Sequence, residues 1–286
     1  MNPYRIVGNG PVVVHFSGGR TSAYLLMKIL DAHGGGLPEN VFAVFCNTGR
    51  EMPETLDFVR DFERETGCPI TWLEFVFNRG AKGVRGQPKF THRVVDWATA
   101  SRDGRPFADL IEANRGWLPT VAKRICTSEL KVKTCERFMW DFHRIRIFDN
   151  IIGFRYDEPK RWTKAVSEGI AARKGEDGTM GCLARRRNFP LVNAGVCESD
   201  VNEFWAKIPW GLKLDKKYGN CDMCFLKGKR KLSEIAKERP DLSEWWEGVE
   251  RETGRNFRLE WSYKELKGGI VASDADDGDL PCFCFD

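Results

Sequence analysis

Two short patterns in this sequence combine residue types and spacing that can do chemistry. The first is Ser17-Gly18-Gly19-Arg20-Thr21-Ser22. Its glycines let the backbone approach an anion, its hydroxyls can donate to one, and a helix starting there would point free N–H groups and its positive dipole end the same way. A glycine pair can also be a plain turn. The position after the first strand of a parallel sheet, where such folds place ligands, favours phosphate. The second pattern is Cys221-Asp222-Met223-Cys224. Two cysteines at this spacing suit zinc or an iron–sulfur cluster, yet supply only half of a four-ligand set. A zinc knuckle that merely staples the structure is the alternative. A thioredoxin-like redox pair would need a strand-to-helix setting, which the neighbouring residues do not offer.

The other cysteines sort by context. The chain holds ten cysteines and four histidines, so any soft-metal site would be mainly thiolate. In a reducing compartment such cysteines are packing residues, ligands or reactive thiols rather than disulfides. Cys46 and Cys68 abut apolar strands and read as small buried hydrophobes. Cys135 stands nine residues after Cys126, which on one helix turns it about 180° away, so it reads as core. Cys182 sits in a glycine-flanked loop before Arg185, Arg186 and Arg187 and is a candidate ligand or nucleophile. Cys282 and Cys284 form a CxC in an acidic tail. His15 follows three valines and reads as a near-core histidine.

These patterns need elements to hold them. Residues 11–16 predict a buried strand, 21–30 a helix closed by Gly34 to Gly36, 41–46 a second strand, 53–66 a proline-led helix and 70–75 a third strand. Alternation of this kind implies a parallel sheet. Residues 78–93 carry glycines among five basic residues and predict a basic loop. Helices are expected at 106–114 and 128–143, a strand at 147–154, a loop at 173–181 and a short capped helix at 200–208. Beyond Cys221 the chain turns helical and charged, divided by Pro240. Trp245, Trp246 and Trp261 are spaced like helix packing anchors.

Composition sets outer bounds. A chain of 286 residues buries a sizeable core without disulfides. A formal net charge of +4 is too small for nucleic-acid binding to dominate the surface. No window approaches the ~20 apolar residues needed to span a bilayer, and no signal peptide is visible, so a soluble, cytoplasmic protein without membrane association is expected. The basic stretches 79–93 and 185–187 could track a phosphate backbone, with Trp97 or Trp117 to stack a base, which makes nucleic acid a candidate partner.

In this order the motifs resemble the sulfonucleotide (PAPS/APS) reductase family of the adenine nucleotide α-hydrolase, or PP-loop, superfamily, with its iron–sulfur sulfurtransferase and DNA-phosphorothioation relatives. The loop SGGRTS resembles the family's SGGKDS. Cys46-Asn47-Thr48-Gly49 with Pro53-Glu54-Thr55 resembles its aspartate-threonine-glycine motif followed by proline-glutamate-threonine. Cys126-Thr127 with Lys131 resembles a paired-cysteine segment, and Gly153 to Glu158 with Arg161 resembles GxRxxES. Pro190-Leu191, Asp200-Val201 and Cys221 to Cys224 resemble its C-terminal half, so the likeness covers residues 11–228. Arg20, Thr21, Asn47 and Thr127 replace the family's lysine, aspartate, aspartate and second cysteine.

The resemblance implies a Rossmann-like (HUP-type) parallel α/β sheet with helices on both faces over 1–228, and a small helical, cysteine-bearing C-terminal part with an acidic tail over 229–286. It implies an adenine nucleotide such as ATP, with Mg, on Ser17 to Ser22, Asn47, Thr48 and Gly49. Arg155 and Arg161 would pair phosphate oxygens, although Asp157 and Glu158 make surface ion pairs the alternative. Cys126, Cys221 and Cys224, with Cys182 as a fourth, would hold a [4Fe-4S] cluster or, alternatively, zinc. Cys182, Cys282 and Cys284 are the candidate catalytic thiols. Two reactions compete: ATP-dependent adenylation coupled to sulfur transfer, and thiol-dependent reduction of a sulfonucleotide to sulfite. A non-catalytic nucleotide sensor with a zinc knuckle is a third reading. Expected partners are a sulfur donor or thiol reductant protein and, in a homodimer, a second copy.

Overall fold

The computed structural model of the protein describes residues 2–83, 88–167, 183–219, 221–267 and 280. Cys182, Cys282 and Cys284, and the loop expected at 173–181, lie outside these residues.

In chain order the elements are β1 (Val12–His15), α1 (Arg20–Ala32), β2 (Val41–Asn47), α2 (Pro53–Thr66), β3 (Ile70–Phe77), β4 (Phe90–Val95) and α3 (Arg105–Ala113). A π-helical segment, Cys126–Lys133, runs into α4 (Thr134–His143), followed by β5 (Ile147–Ile151), α5 (Pro159–Ser167), β6 (Leu183–Asn188), α6 (Pro190–Asn193) and α7 (Glu198–Ala206). A 3₁₀ turn, Lys216–Tyr218, precedes α8 (Lys229–Glu238), α9 (Pro240–Thr253) and α10 (Tyr263–Lys267).

The strands form one sheet in the order β4-β3-β2-β1-β5-β6, parallel except for the antiparallel edge pair β3–β4. This is a Rossmann-like α/β fold. Successive side chains of a strand face opposite sides, and the apolar runs use both. Val12 and Val14 of β1 pack with Ala43, Phe45 and Trp72 into the core shared with α1 and α2, whereas Val13, Val44 and Leu73 join Cys135, Phe138 and Met139 of α4 on the other face. Buried on both faces, these strands read as continuous apolar runs.

Two strands were not foreseen. The expected basic loop at 78–93 ends in β4, held by a partner distant in sequence: Phe90 packs on Phe75 and Phe77 at 5.7 and 6.1 Å, and Arg93 bonds the Glu74 carboxylate through Nε at 2.8 Å. Arg185, Arg186 and Arg187 lie on β6, parallel to β5 at the opposite edge. The helix expected over 128–143 starts with a π-helical turn and becomes α-helical at Thr134.

A third core lies beside the sheet and draws from both sides of residue 228. It joins Phe107, Leu110, Leu118 and Leu130 to Met223 and Phe225, and to Leu232, Trp246, Phe257 and Tyr263 of the C-terminal helices. Trp246 and Trp261 are buried and Trp245 partly so, as anchors of this core. No helix among the described residues is long and apolar enough to cross a membrane.

Candidate functional site

The sheet's connections run outward to β2 and β3 on one side of β1 and to β5 and β6 on the other. The C-terminal end of β1 is thus the switch point where open α/β sheets leave a crevice. The loop Ser17 to Arg20 occupies it and lines a cleft of about 920 Å³.

Local physics shapes this loop. Gly18 has φ +79°, and a Cβ there would stand 2.6 Å from Thr55 Cγ2, so only glycine fits. Gly19 is the N-cap of α1 and has room for a Cβ, with Ser17 Oγ nearest at 3.5 Å. No side chain caps α1 and no acidic residue lies in its first turn. Its N-terminal N–H groups and positive dipole end are therefore offered to the cleft. Ser22 is fully buried: its Oγ donates to the Gly19 carbonyl at 3.0 Å, accepts from Ser17 N–H at 3.1 Å and meets Ser17 Oγ at 2.9 Å. It braces the loop from beneath. Arg20 lines the cleft, but its Nη2 donates to the carbonyls of Leu212 and Leu214 at 2.8 and 3.1 Å, so this arm ties the loop to the segment before the 3₁₀ turn.

The segment after β5 packs behind the loop. Gly153 approaches Ser22 so closely that a Cβ would lie 3.4 Å from its Cα. Arg155 Nη1 donates to Thr21 Oγ1 at 3.2 Å, and Nε to Asp157 at 3.0 Å. Arg161 stacks over Phe154 at 4.5 Å and donates to Glu158 at 2.6 Å. Both arginines are among the residues lining the cleft, and both make the ion pairs that Asp157 and Glu158 suggested. Eight Lys and Arg residues against five Asp and Glu line the cleft, which favours an anionic ligand.

Asn47, Thr48 and Gly49 serve elsewhere. Asn47 donates to Glu74 at 2.6 Å and to the Ser101 carbonyl at 2.8 Å, and accepts from Gly49 N–H at 3.0 Å. Gly49 has φ +77°, and a Cβ would meet Gly104 Cα at 3.0 Å. None of the three lines the cleft; they shape a loop that grips the CxxC turn. Thr48 Oγ1 lies 3.5 Å from Cys221 Sγ, Glu51 pairs with Cys221 as an antiparallel bridge, and Arg50 forms a buried ion pair with Asp222 while stacking on Trp245 at 4.9 Å. Asp222 also accepts from Trp246 Nε1 at 2.9 Å, and Asp222 N–H donates to the Arg50 carbonyl at 2.8 Å.

The CxxC turn contributes to the cleft wall. Cys224 N–H donates to the Cys221 carbonyl at 3.2 Å, and Cys224 and Lys227 line the wall. The buried Lys227 ammonium donates to the carbonyls of Cys221 and Asp222 at 3.0 and 2.6 Å. Burial holds the lysine below its ordinary pKa, opposed by the charges of Cys224 and Asp222. Burial, followed by the Glu51 charge, pushes the Cys221 thiol well above the ordinary range.

Only three of the four expected metal ligands lie among the described residues, since Cys182 falls outside them. Among the described residues no group of three or more Cys, His, Asp or Glu is arranged to hold a metal ion. Cys224 is a buried member of the core built on the C-terminal helices and also lines the cleft, and Cys126 and Cys221 both pack against that same core, Cys126 at the start of the π-helical segment and Cys221 beside Thr48. Cys46, Cys68 and Cys135 are buried, as their strand and helix positions suggested. His15 is buried as well, its Nε2 2.6 Å from Asn150 Oδ1, and burial lowers its pKa to about 4. Trp97, a candidate base platform, already carries Arg60 and Arg102 at 4.6 and 5.2 Å, and Trp117 carries Arg255 at 3.9 Å.

The sequence reading missed Glu51, Lys227 and the 212–217 segment as cleft residues. Local pattern could not reveal them, because their neighbours across the cleft lie far away in the chain.

The fold and site define a Rossmann-like α/β protein with a phosphate-type loop at its switch point. No family model matches the chain. It is 29% identical over 230 residues to the uncharacterized nin region protein ORF290 of Escherichia phage lambda, covering 80% of this chain and 71% of that protein. It is 25% identical over 255 residues to the uncharacterized protein MJ0066 of Methanocaldococcus jannaschii, covering 87% of this chain and 43% of that relative, so it spans under half of the latter's length. Similar solved structures include a PAPS reductase from Candida auris in complex with phosphate, with a TM-score of 0.35, 16% identity and coverage of 70% of this chain and 73% of that one. They also include the U34-tRNA thiolase NcsA of Methanococcus maripaludis with its [4Fe-4S] cluster, with a TM-score of 0.37, 14% identity and coverage of 97% and 81%.

Proposed function

We propose that this chain is a PAPS reductase-like enzyme that binds an adenine nucleotide in the cleft, with its phosphates on Gly18, Gly19 and the start of α1, and performs sulfur chemistry at the opposite wall. The observation that carries this reading is the cleft itself, which is lined both by an uncapped helix N-terminus on a glycine turn and by Cys224 of the CxxC turn. Backbone N–H groups and the helix dipole hold phosphate without a dedicated side chain, and Arg155 stands beside Thr21 to add a charge-assisted donor.

The favoured reaction is ATP-dependent adenylation of an acceptor followed by sulfur transfer. An acceptor oxygen attacks the α-phosphorus, pyrophosphate leaves, and a sulfur nucleophile then displaces AMP. Cationic side chains around the loop favour charge building on the departing pyrophosphate. Nucleic acid as acceptor remains part of this reading. Reduction of a sulfonucleotide by thiols is the second reading, favoured by Cys224 in the cleft wall.

The test is isotope exchange between pyrophosphate and ATP beside sulfite release from PAPS, with iron and zinc counted in anaerobically purified protein. Exchange supports adenylation, and sulfite release supports reduction. Absence of both, with one equivalent of zinc and bound nucleotide, would leave the sensor reading.

A further inference from the structure

We propose that Glu198 is an internal competitor of the ligand: its carboxylate holds Arg155 and Lys216 at the cleft and yields these two cations to a ligand that carries two or more linked phosphates. This deepens the function proposed above, naming a residue that sets which anions the cleft favours, and it rests on that reading for the nucleotide.

The three side chains come from separate segments that all line the cleft. Glu198 opens α7, and its Oε1 meets Lys216 Nζ at 2.5 Å while Oε2 lies 3.8 Å from Arg155 Nη2. Its N–H donates to Asp157 at 3.1 Å, so the backbone is pinned and only the side chain, 35% exposed, has to move. The hydrogen bond from Lys216 holds the Glu198 carboxyl below its ordinary pKa, which keeps it an anion at neutral pH. Arg155 faces three carboxylates with one charge: Asp157 at 3.0 Å and Glu158 at 3.5 Å besides Glu198. Asp157 and Glu158 belong to the loop of Arg155 itself and are engaged there, Asp157 by the Glu198 N–H and Glu158 by Arg161 and the Arg155 N–H. Glu198 makes the longest of the three contacts and comes from another element, so it is the carboxylate that leaves. Arg155 Nη1 reaches Thr21 Oγ1 at 3.2 Å, and Arg20 ties the Lys216 segment to the same loop through the carbonyls of Leu212 and Leu214. Both cations are thereby held near the start of α1.

A phosphate on the α1 N–H groups alone leaves Glu198 in place. A second phosphate linked to it meets Arg155 and Lys216, and because an exposed ion pair contributes little while arginine pairs phosphate bidentately, it displaces the carboxylate. Competition divides the affinity by the fraction of molecules in which the cations are open, about tenfold where Glu198 holds them about nine-tenths of the time. When a polyphosphate product departs, Glu198 takes the cations back and speeds its release.

Calorimetric titration with ATP, AMP and inorganic pyrophosphate compares wild type with Glu198→Gln. ATP is expected to bind the variant about tenfold more tightly and AMP within about twofold of wild type, with thermal unfolding unchanged. Asp215→Asn removes the same charge from the same cleft, where Asp215 accepts from the Lys217 N–H, and is expected to change ATP affinity by less than about twofold. Glu198→Asp, too short to hold both cations, is expected to show part of the gain and serves if Glu198→Gln does not fold. In an Arg155→Ala background the gain should shrink to about threefold or less, since one of the two cations at stake is gone. Unchanged ATP affinity in folded Glu198→Gln, an equal gain for AMP, or an equal gain in Asp215→Asn overturns the competitor. The two readings stay apart: ATP bound alike by wild type and variant sinks only the competitor, and pyrophosphate tightened by the variant with no ATP bound sinks only the nucleotide assignment.

Discussion

The amide of Asn47 donates to the Glu74 carboxylate over 2.6 Å at a depth where neither residue is exposed. Glu74 also accepts from Ser101 N–H at 2.6 Å and from Arg93 Nε at 2.8 Å, so one buried carboxylate gathers β2, β3, β4 and the segment before α3. Asn47→Asp would replace a donor with a second carboxylate. The variant is expected to lose about 3 kcal/mol or more of stability near neutral pH. A like charge raises the new carboxyl's pKa in the folded state, so the loss should be small below about pH 4 and grow as pH rises above it. Urea unfolding at several pH values checks this; equal stability to wild type at pH 8 would contradict it.

The two loop glycines should separate folding from binding. Gly18→Ala forces a side chain into φ +79° and onto Thr55, with an expected cost of about 1–3 kcal/mol in thermal or denaturant unfolding. Gly19→Val places its Cβ where there is room, so it is expected to fold near normally yet lose at least about tenfold in nucleotide affinity, because its side chain would meet the anion. Calorimetric titration with ATP reads this directly, and unchanged affinity would move the phosphates off the loop.

Breaking the Arg50–Asp222 pair leaves a charge buried beneath Trp245 and Trp246. Asp222→Asn and Arg50→Met are each expected to cost about 3–5 kcal/mol, with the double variant less destabilised than the sum. Additive losses in a double-mutant cycle would show that the two side chains act independently.

His15 gives a pH signature. Burial lowers its pKa to about 4, against about 6.5 in the unfolded chain. Between these values the unfolded state binds more protons, so stability falls as pH drops from about 6.5 to about 4, by about 3 kcal/mol in total. Above about 6.5 the contribution is complete and flat. His15→Gln should remove this slope, leaving only the acid sensitivity of other groups; the pH dependence of the urea midpoint compares the two proteins.

Arg155→Ala is expected to weaken nucleotide binding about tenfold, since a charge-assisted donor beside Thr21 disappears. Arg155→Lys should recover only part, because a point charge cannot hold Asp157 and Thr21 from one planar fork. Full affinity in Arg155→Ala would confine the arginine to its ion pairs.

The glycine turn after β1 was legible because its cause is local: two glycines and three hydroxyl residues lie between an apolar run and a helical one, and chain periodicity alone places that turn at the end of a strand. The β1–α1–β2–α2–β3 order, the core cysteines and the Trp246 anchor follow from the same short-range signals. β4 was not legible, since Phe90 to Val95 becomes a strand only against β3, and a basic stretch carries no mark of that pairing. The contacts of Asn47 were not legible for a related reason: a motif position says which residue stands there, while burial beside Glu74 decides what its amide reaches. The sequence by itself determined the glycine turn at the end of β1 and which segments bury, because those depend on backbone freedom and residue period. Only the tertiary structure decided that Cys221, 173 positions beyond Thr48, is gripped by the loop after β2, and that Cys224 rather than Cys126 faces the cleft. Contacts between residues so distant in sequence arise from packing of separate elements, which no local spacing encodes.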